Sequence, residues 1–175
     1  MKKEQKNLSD LMVFAMLGTI MFISKLIMEF LPNIHPIAMF ITVFTLVYRK
    51  KALIPIYMYV FLVGLYSGFN VWWVPYIYIW TILWGMVMLI PKNLSYKKLA
   101  VISTVVCALH GILYGVLYAP AQALLFKLDF KMTVAWVITG LPWDFIHMCG
   151  NIALSTLVIP LYKVLIKIKE KHIKD

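Results

Sequence analysis

Three polar side chains near the end of the chain have types and a spacing that could do chemistry. Asp144, His147 and Asn151 stand at i, i+3 and i+7, so a helix would carry all three on one stripe. Pro142 would free a backbone carbonyl beside them. Two interpretations stay open: hydrogen bonding to neighbouring helices, and a ligand site. Three such groups in an apolar stretch favour the ligand site.

A second stripe of the same kind precedes it. His110, Tyr114 and Tyr118 follow one another at intervals of four, and Gln122 extends the same face. A lone histidine in a helix is usually a core residue, whereas this one shares its face with other polar groups. For His110, the sequence favours core packing and a binding site about equally.

Lys25 and Glu29 form a third polar group, four residues apart and therefore on one helix face. They are either a structural ion pair or the lining of a polar pocket. The basic residue precedes the acidic one, which is the weaker order for helix stability and tilts the choice toward a pocket.

The elements that must position these groups follow from charge and hydropathy. The chain has 175 residues, 63% of them hydrophobic, a mean hydropathy of +0.86 and a net charge of +10. Most of the 17 lysines and arginines fall in four clusters, at residues 2–6, 49–51, 92–98 and 163–174. Basic connections alternating with non-basic ones are typical of the positive-inside rule. The pattern predicts an all-α membrane bundle of six transmembrane helices with both termini cytoplasmic.

One membrane domain over residues 1–175 is expected, since no length remains for a soluble module. A helical span needs about 20 residues. The predicted spans are approximately 9–31, 34–48, 52–69, 75–90, 99–126 and 132–166. The external connections then carry Asn33, Trp72 and Trp73. Tryptophans are common at membrane interfaces in any case, but they could also stack a small, flat, polar ligand.

Several function classes are disfavoured. The basic residues do not form one stripe, as a nucleic-acid-binding face requires. No H-E-x-x-H, G-x-S-x-G or P-loop motif is present, so an enzyme is not expected. His110, Asp144 and His147 lack metal-ligand spacing, and we expect neither a metal site nor a cofactor. Cys107 and Cys149 have no C-x-x-C spacing and are interpreted as buried thiols.

The chain resembles the substrate-binding S components of energy-coupling factor (ECF) vitamin transporters. The resemblance rests on the size, the six predicted spans, the short basic loops and the long last helix through residues 151–161. It also rests on the run Lys-Lys-Ala-Leu-Ile-Pro at 50–55 and on Ala-Leu-His-Gly-x-x-Tyr-Gly at 108–115. The resemblance implies a multi-pass protein of a bacterial plasma membrane that captures a water-soluble vitamin from outside. It further implies docking onto an ECF transmembrane scaffold subunit that carries two ATPase subunits, so the chain itself hydrolyses nothing.

The same resemblance implies a substrate site in the external loops and the outer halves of the helices. By position, the candidate substrate-binding residues are Glu29, Asn33, Trp72, Trp73, His110, Tyr114, Gln122, Asp144, His147 and Asn151. The partner-docking face of the family is an alanine-x-x-x-alanine pattern on the first helix. Its nearest match is Ala15, Gly18 and Thr19, where threonine replaces the second alanine. Small-x-x-x-small packing is retained. Nickel or cobalt is disfavoured as the cargo because the N-terminus is not histidine-rich.

Two other functions stay open. A small secondary transporter or channel working on its own could use Asp144 and His147 as a proton relay. A membrane scaffold that binds another protein, and no small molecule, is the third hypothesis.

Overall fold

The structure is a computed structural model that describes residues 2–174, with side chains described for residues 8–171. Within that range it is built from helices and contains no strand, which confirms the all-α class. The helices are α1 (Lys2–Ile27), α2 (Ile37–Tyr48), α3 (Leu53–Ser67), α4 (Tyr76–Met88), α5 (Tyr96–Ile112), α6 (Tyr114–Phe126), α7 (Phe130–Ser155) and α8 (Val158–Lys174). A 3₁₀ turn, Arg49–Ala52, separates α2 from α3.

Two helical stretches of the described chain are long and apolar enough to cross a membrane. They are Leu8–Ile27 and Tyr96–Phe126, and α7 with α8 makes a third if that bent pair is one span. By contrast, α2, α3 and α4 have 12, 15 and 13 residues. At about 1.5 Å per residue they are shorter than a hydrocarbon core of about 30 Å. A count of six spans therefore remains a prediction.

The outer surface of the helices is strongly apolar. Large hydrophobic side chains stand exposed along it, among them Phe130 at 85%, Leu89 at 84% and Leu124 at 81%. Exposed apolar surface of this extent is typical of a protein whose surroundings are themselves apolar. The observation agrees with the two or three helices of membrane-spanning length.

The breaks between helices lie close to the predicted ones, except that predicted span 99–126 is interrupted at Leu113, between α5 and α6, and that the last segment is divided. There, α7 ends at Ser155 and α8 begins at Val158 with a bend of 51°. The amide of Thr156 donates to the Ala153 carbonyl, three residues back, so the last turn tightens. Pro160 has no N–H to continue the ladder. The predicted segment 132–166 is therefore divided into two helices.

Helix starts have local causes in two places. The Ser95 hydroxyl accepts a hydrogen bond from the Lys98 amide at 3.4 Å at the start of α5. The Asp129 carboxylate accepts one from the Met132 amide at 2.7 Å at the start of α7. Serine and aspartate are preferred at this position because their side-chain oxygens satisfy amides that the helix leaves unpaired.

Helices α5 and α7 form the most extensive helix–helix contact. Gly111 permits it, because a Cβ there would lie 2.8 Å from the Met148 Cα and 2.9 Å from its amide nitrogen. Gly115, four residues on, packs directly against the Asp144 carboxylate. The two form a G-x-x-x-G pair, the spacing that lets two helix backbones approach closely. This contact brings the two polar stripes of the sequence together.

Two ends of the bundle can be distinguished when α5 with α6, and α7 with α8, are each taken as one pass along the bundle. The aromatic end comprises the connections at residues 28–36, 68–75 and 127–129. The basic end comprises the Arg49–Ala52 turn, the connection at residues 89–95 and the last turns of α8. At the basic end, the Arg49 side chain donates to the Met88 carbonyl and Lys51 pairs with Asp10.

Candidate functional site

Two adjoining cavities lie toward the aromatic end. The histidine cavity has a volume of about 200 Å³. It is lined by residues 31–35 and by Lys25, Met28, Glu29, Tyr76, Tyr114 and His147. The aspartate cavity has a volume of about 450 Å³, within the usual range for small-molecule sites. It is lined by Asn33 with four residues of α6 and four of α7, namely Tyr114, Gly115, Tyr118, Gln122, Trp136, Gly140, Trp143 and Asp144.

The two cavities share Asn33 and Tyr114. Asn33 has a φ of 58°, in the left-handed region that asparagine tolerates better than most residues. Its side-chain amide donates to the Trp143 carbonyl at 3.3 Å, so the α1–α2 connection is tied to α7. Tyr114 stands at the first residue of α6, after the break at Leu113. A backbone irregularity therefore positions each residue: the left-handed conformation at Asn33 itself, and the helix break before Tyr114.

Three histidine rings run from the interior to the histidine cavity. His110 lies 6.4 Å from His147, and His147 lies 5.1 Å from His35, measured between ring centroids. The Nε2 atom of His147 and the Nδ1 atom of His35 are buried and have no hydrogen-bond partner within residues 8–171. Buried polar atoms are nearly always paired, so these two are the atoms of the cavity lining that most need a ligand or water.

Asp144 is buried and has a defined partner. Both of its carboxylate oxygens accept from the Gly115 amide at 3.1 Å. This amide belongs to the first turn of α6, so the carboxylate caps a helix N-terminus and meets its positive dipole end. The residue also borders the aspartate cavity. The structural and the ligand-binding interpretations of Asp144 are therefore compatible.

Lys25 and Glu29 form an ion pair and also line a pocket, so both interpretations made from the sequence agree with the structure. Their side chains approach to 3.7 Å and both line the histidine cavity. The Glu29 side chain is more than half exposed, and a pair of this kind adds at most about 1 kcal/mol to stability. Its charges remain available to a ligand in the cavity.

Four of the predicted substrate-binding residues lie away from both cavities. The Asn151 amide donates to the Cys107 carbonyl at 3.0 Å and joins α7 to α5. His110 is fully buried, 3.3 Å from the Ile79 carbonyl and against Trp80.

The two predicted tryptophans are held by backbone hydrogen bonds and by edge-to-face contacts with neighbouring rings. The Trp73 indole donates to the Val60 carbonyl at 2.9 Å. Trp72 contacts Tyr76 edge to face, and its carbonyl accepts from the Tyr118 hydroxyl at 2.5 Å. The other six predicted residues, Glu29, Asn33, Tyr114, Gln122, Asp144 and His147, line one cavity or both.

Some lining residues were missing from the sequence-based set. Trp136 stacks on Tyr118 at 5.8 Å and forms an aromatic wall of the aspartate cavity, and Trp143 forms another. The sequence could have predicted Trp136 as a lining residue, because it lies eight residues before Asp144 on the same helix face, with Gly140 between them. His35 lies in the same connection as Asn33, among the polar residues of the predicted external loops, but outside the helical stripes on which most of the predicted set rested.

The predicted docking residues lie on α1. Gly18 is buried where α1 meets α3, and a Cβ on it would come within 2.7 Å of Met58 and 3.0 Å of the Pro55 carbonyl. Thr19 is exposed, and its hydroxyl donates to the Ala15 carbonyl at 2.9 Å. Docking through this face stays a prediction, with Thr19 the most accessible of the three residues.

No family model, curated protein or solved structure matches this chain. Among the described residues, no group of three or more histidine, cysteine, aspartate or glutamate side chains is arranged to hold a metal ion. What the two cavities offer chemically is a set of aromatic walls, two carboxylates, one lysine and histidine nitrogens. Such a set suits a flat polar molecule that carries charge.

Proposed function

We propose that this protein is a membrane-embedded substrate-capture subunit of the ECF S-component kind. It would bind a water-soluble vitamin or related heterocycle from the outside of a bacterial plasma membrane. Delivery would proceed through a shared module of a transmembrane scaffold subunit and two ATPase subunits. The proposal assigns no catalysis to the chain itself.

The observation that carries the proposal is the pair of adjoining cavities at the aromatic end. Their aromatic walls, Tyr118 with Trp136 and Trp143, offer faces on which a heterocycle stacks. Asp144 and Glu29 provide negative charge, and Lys25 provides a positive one. The unpaired nitrogens of His35 and His147 add polar positions that favour orientation. A zwitterionic or cationic aromatic compound matches this combination best.

Native mass spectrometry of the gently purified protein tests the proposal first. We expect a small heterocycle to be retained at one per chain, or, failing that, a thermal shift with one member of a vitamin panel. Trp136→Ala should abolish either signal. Phe145→Ala is the matched control, since it removes an exposed aromatic ring from the same helix outside both cavities. An empty protein with no thermal shift across the panel would overturn the capture function.

A self-sufficient secondary transporter is the second candidate, and one observation favours it. The series His110, His147 and His35 links the interior to a cavity through rings 5.1–6.4 Å apart. Histidine chains of this kind serve as proton relays. Substrate uptake by the purified protein in liposomes, driven by a proton gradient without any ATPase, would favour this function over capture for an ECF module.

A further inference from the structure

A third cavity, at the basic end, belongs to neither site described above. Its volume is about 700 Å³, and it lies between α1, the Arg49–Ala52 turn, the end of α4 and α8. We call it the basic cavity. Its charged lining consists of Arg49, Lys50, Lys51, Lys92, Lys169 and Asp10.

Only one of these five cations faces a carboxylate within the described part of the chain. Lys51 pairs with Asp10 at 2.7 Å. Arg49 and Lys169 donate instead to the main-chain carbonyls of Met88 and Val47, at 2.6 and 2.8 Å. A carbonyl orients these side chains but does not cancel their charge. Among the described residues, the lining of the basic cavity therefore carries an excess of positive charge in partly fixed positions.

Lys50 and Lys92 are the adaptable members of the lining. Both are exposed, and no hydrogen bond or ion pair within residues 8–171 engages either ammonium group. Ammonium groups on flexible stems, next to an oriented guanidinium, are a recurring arrangement for binding phosphate. The chemistry at the mouth of the basic cavity is thus that of a phosphate site.

The rest of the basic cavity is apolar. Its wall is formed by Val13, Phe14, Tyr48, Met88 and Ile168. A free phosphate ion would leave this wall and most of the volume uncovered. Helix α8 continues the apolar surface outward, since Val164 and Ile168 are each 52% exposed among lysines on neighbouring positions. The cationic residues at the mouth of the cavity and its apolar wall together suit a phosphate that carries a hydrocarbon chain.

We propose that the basic cavity binds an anionic phospholipid. Its phosphate lies among Arg49, Lys50 and Lys92, and an acyl chain lies against the apolar wall. The proposal does not depend on the capture function, because it concerns the opposite end of the bundle. It does require that the basic end faces a leaflet with anionic lipid, where basic residues are attracted to headgroups.

Native mass spectrometry with defined lipids provides the test. The full chain is exchanged into mixed micelles that contain phosphatidylglycerol or phosphatidylcholine with identical acyl chains. We expect the parent protein to retain phosphatidylglycerol selectively. In a variant that combines Lys50→Gln and Lys92→Gln, the affinity for phosphatidylglycerol should fall about fivefold for each lysine removed. The matched control is Lys97→Gln with Lys98→Gln, which removes the same charge at the same end from exposed residues outside the cavity. Equal losses in the two variants would overturn the site, since they would indicate general charge attraction.

A second pair of variants tests the acyl chain. Ile168→Trp fills the apolar part of the basic cavity, whereas Val164→Trp adds the same bulk to α8 outside it. We expect Ile168→Trp to lose phosphatidylglycerol and Val164→Trp to keep it. Titration calorimetry with inorganic phosphate distinguishes a site for free phosphate from a site for a phospholipid. If inorganic phosphate bound as tightly as the lipid, and Ile168→Trp changed neither, a lipid site would be ruled out.

Discussion

At the scale of single residues, Asp144 has the most sharply defined surroundings. It is buried, caps the first turn of α6 through the Gly115 amide, and borders the aspartate cavity. A carboxylate that caps a helix needs its oxygen atoms, whereas one that binds a cationic ligand also needs its charge. The two roles can therefore be separated by substitution.

We expect Asp144→Ala to lower the free energy of unfolding by about 1–3 kcal/mol, because the Gly115 amide would be left buried without a partner. Asp144→Asn keeps an acceptor oxygen and should cost less than half as much. Both are measured by thermal and denaturant unfolding in detergent. Equal destabilisation by the two variants would contradict the cap. Once a ligand is known, a loss of affinity in stable Asp144→Asn would assign the charge to binding.

At the scale of elements, the contact between α5 and α7 determines where the polar stripes meet. Its closeness depends on glycine, because at Gly111 the neighbouring atoms are the backbone of Met148, which cannot rotate away. The hydrogen bond from Asn151 to the Cys107 carbonyl holds the same two helices in register. The cavities are therefore sensitive to small residues that line neither of them.

Gly111→Ala should lower the free energy of unfolding by about 1–3 kcal/mol through overpacking. Gly85→Ala is the matched control, since Gly85 also lies inside a helix and a Cβ there would have nothing within 4 Å. The control should be neutral or stabilise by up to about 1 kcal/mol, because alanine is the better helix former. Unfolding midpoints of the two variants against the parent decide the matter. Similar losses of stability in both variants would contradict the close contact at Gly111, since Gly85 has no such contact.

At the scale of the whole molecule, charge and aromatic residues are divided between the two ends. The basic end carries Arg49, Lys50, Lys51 and Lys92, whereas the aromatic end carries the two cavities. Under the positive-inside rule this asymmetry predicts that the basic end lies in the cytoplasm. The capture function and the lipid site both require that orientation.

Cysteine labelling measures the orientation directly. Cys149 is exposed, so its interpretation as a buried thiol was wrong, whereas Cys107 is buried. In a Cys149→Ser background, which removes the exposed thiol, a single cysteine replaces either Lys127 or Lys92. A membrane-impermeant maleimide should label the Lys127→Cys variant in intact cells, and the Lys92→Cys variant only after permeabilisation. The reverse pattern would invert the topology and place both cavities on the cytoplasmic side.

The sequence was a good guide to the elements. Hydropathy and turn residues act over a few positions, so the breaks between the predicted spans, at residues 31–34, 69–75 and 90–99, lie near where helices end. The stripe argument also placed Asp144 and His147 on a shared face, and both border cavities. It did not divide the last segment, although Pro160 stands beside the break, and it could not give the bend of 51° between α7 and α8.

What the sequence determined by itself is therefore the helical class, the apolar exterior and the separation of basic from aromatic connections. What only the tertiary structure decided is which polar side chains meet a cavity. Helical spacing tells which residues share a face, but not which neighbour that face contacts. Asn151 and Trp73 thus donate to backbone carbonyls, whereas Trp136 and His35 line the cavities. The physical reason is that a cavity is formed by residues distant in the chain, whose approach depends on close contacts such as that at Gly111.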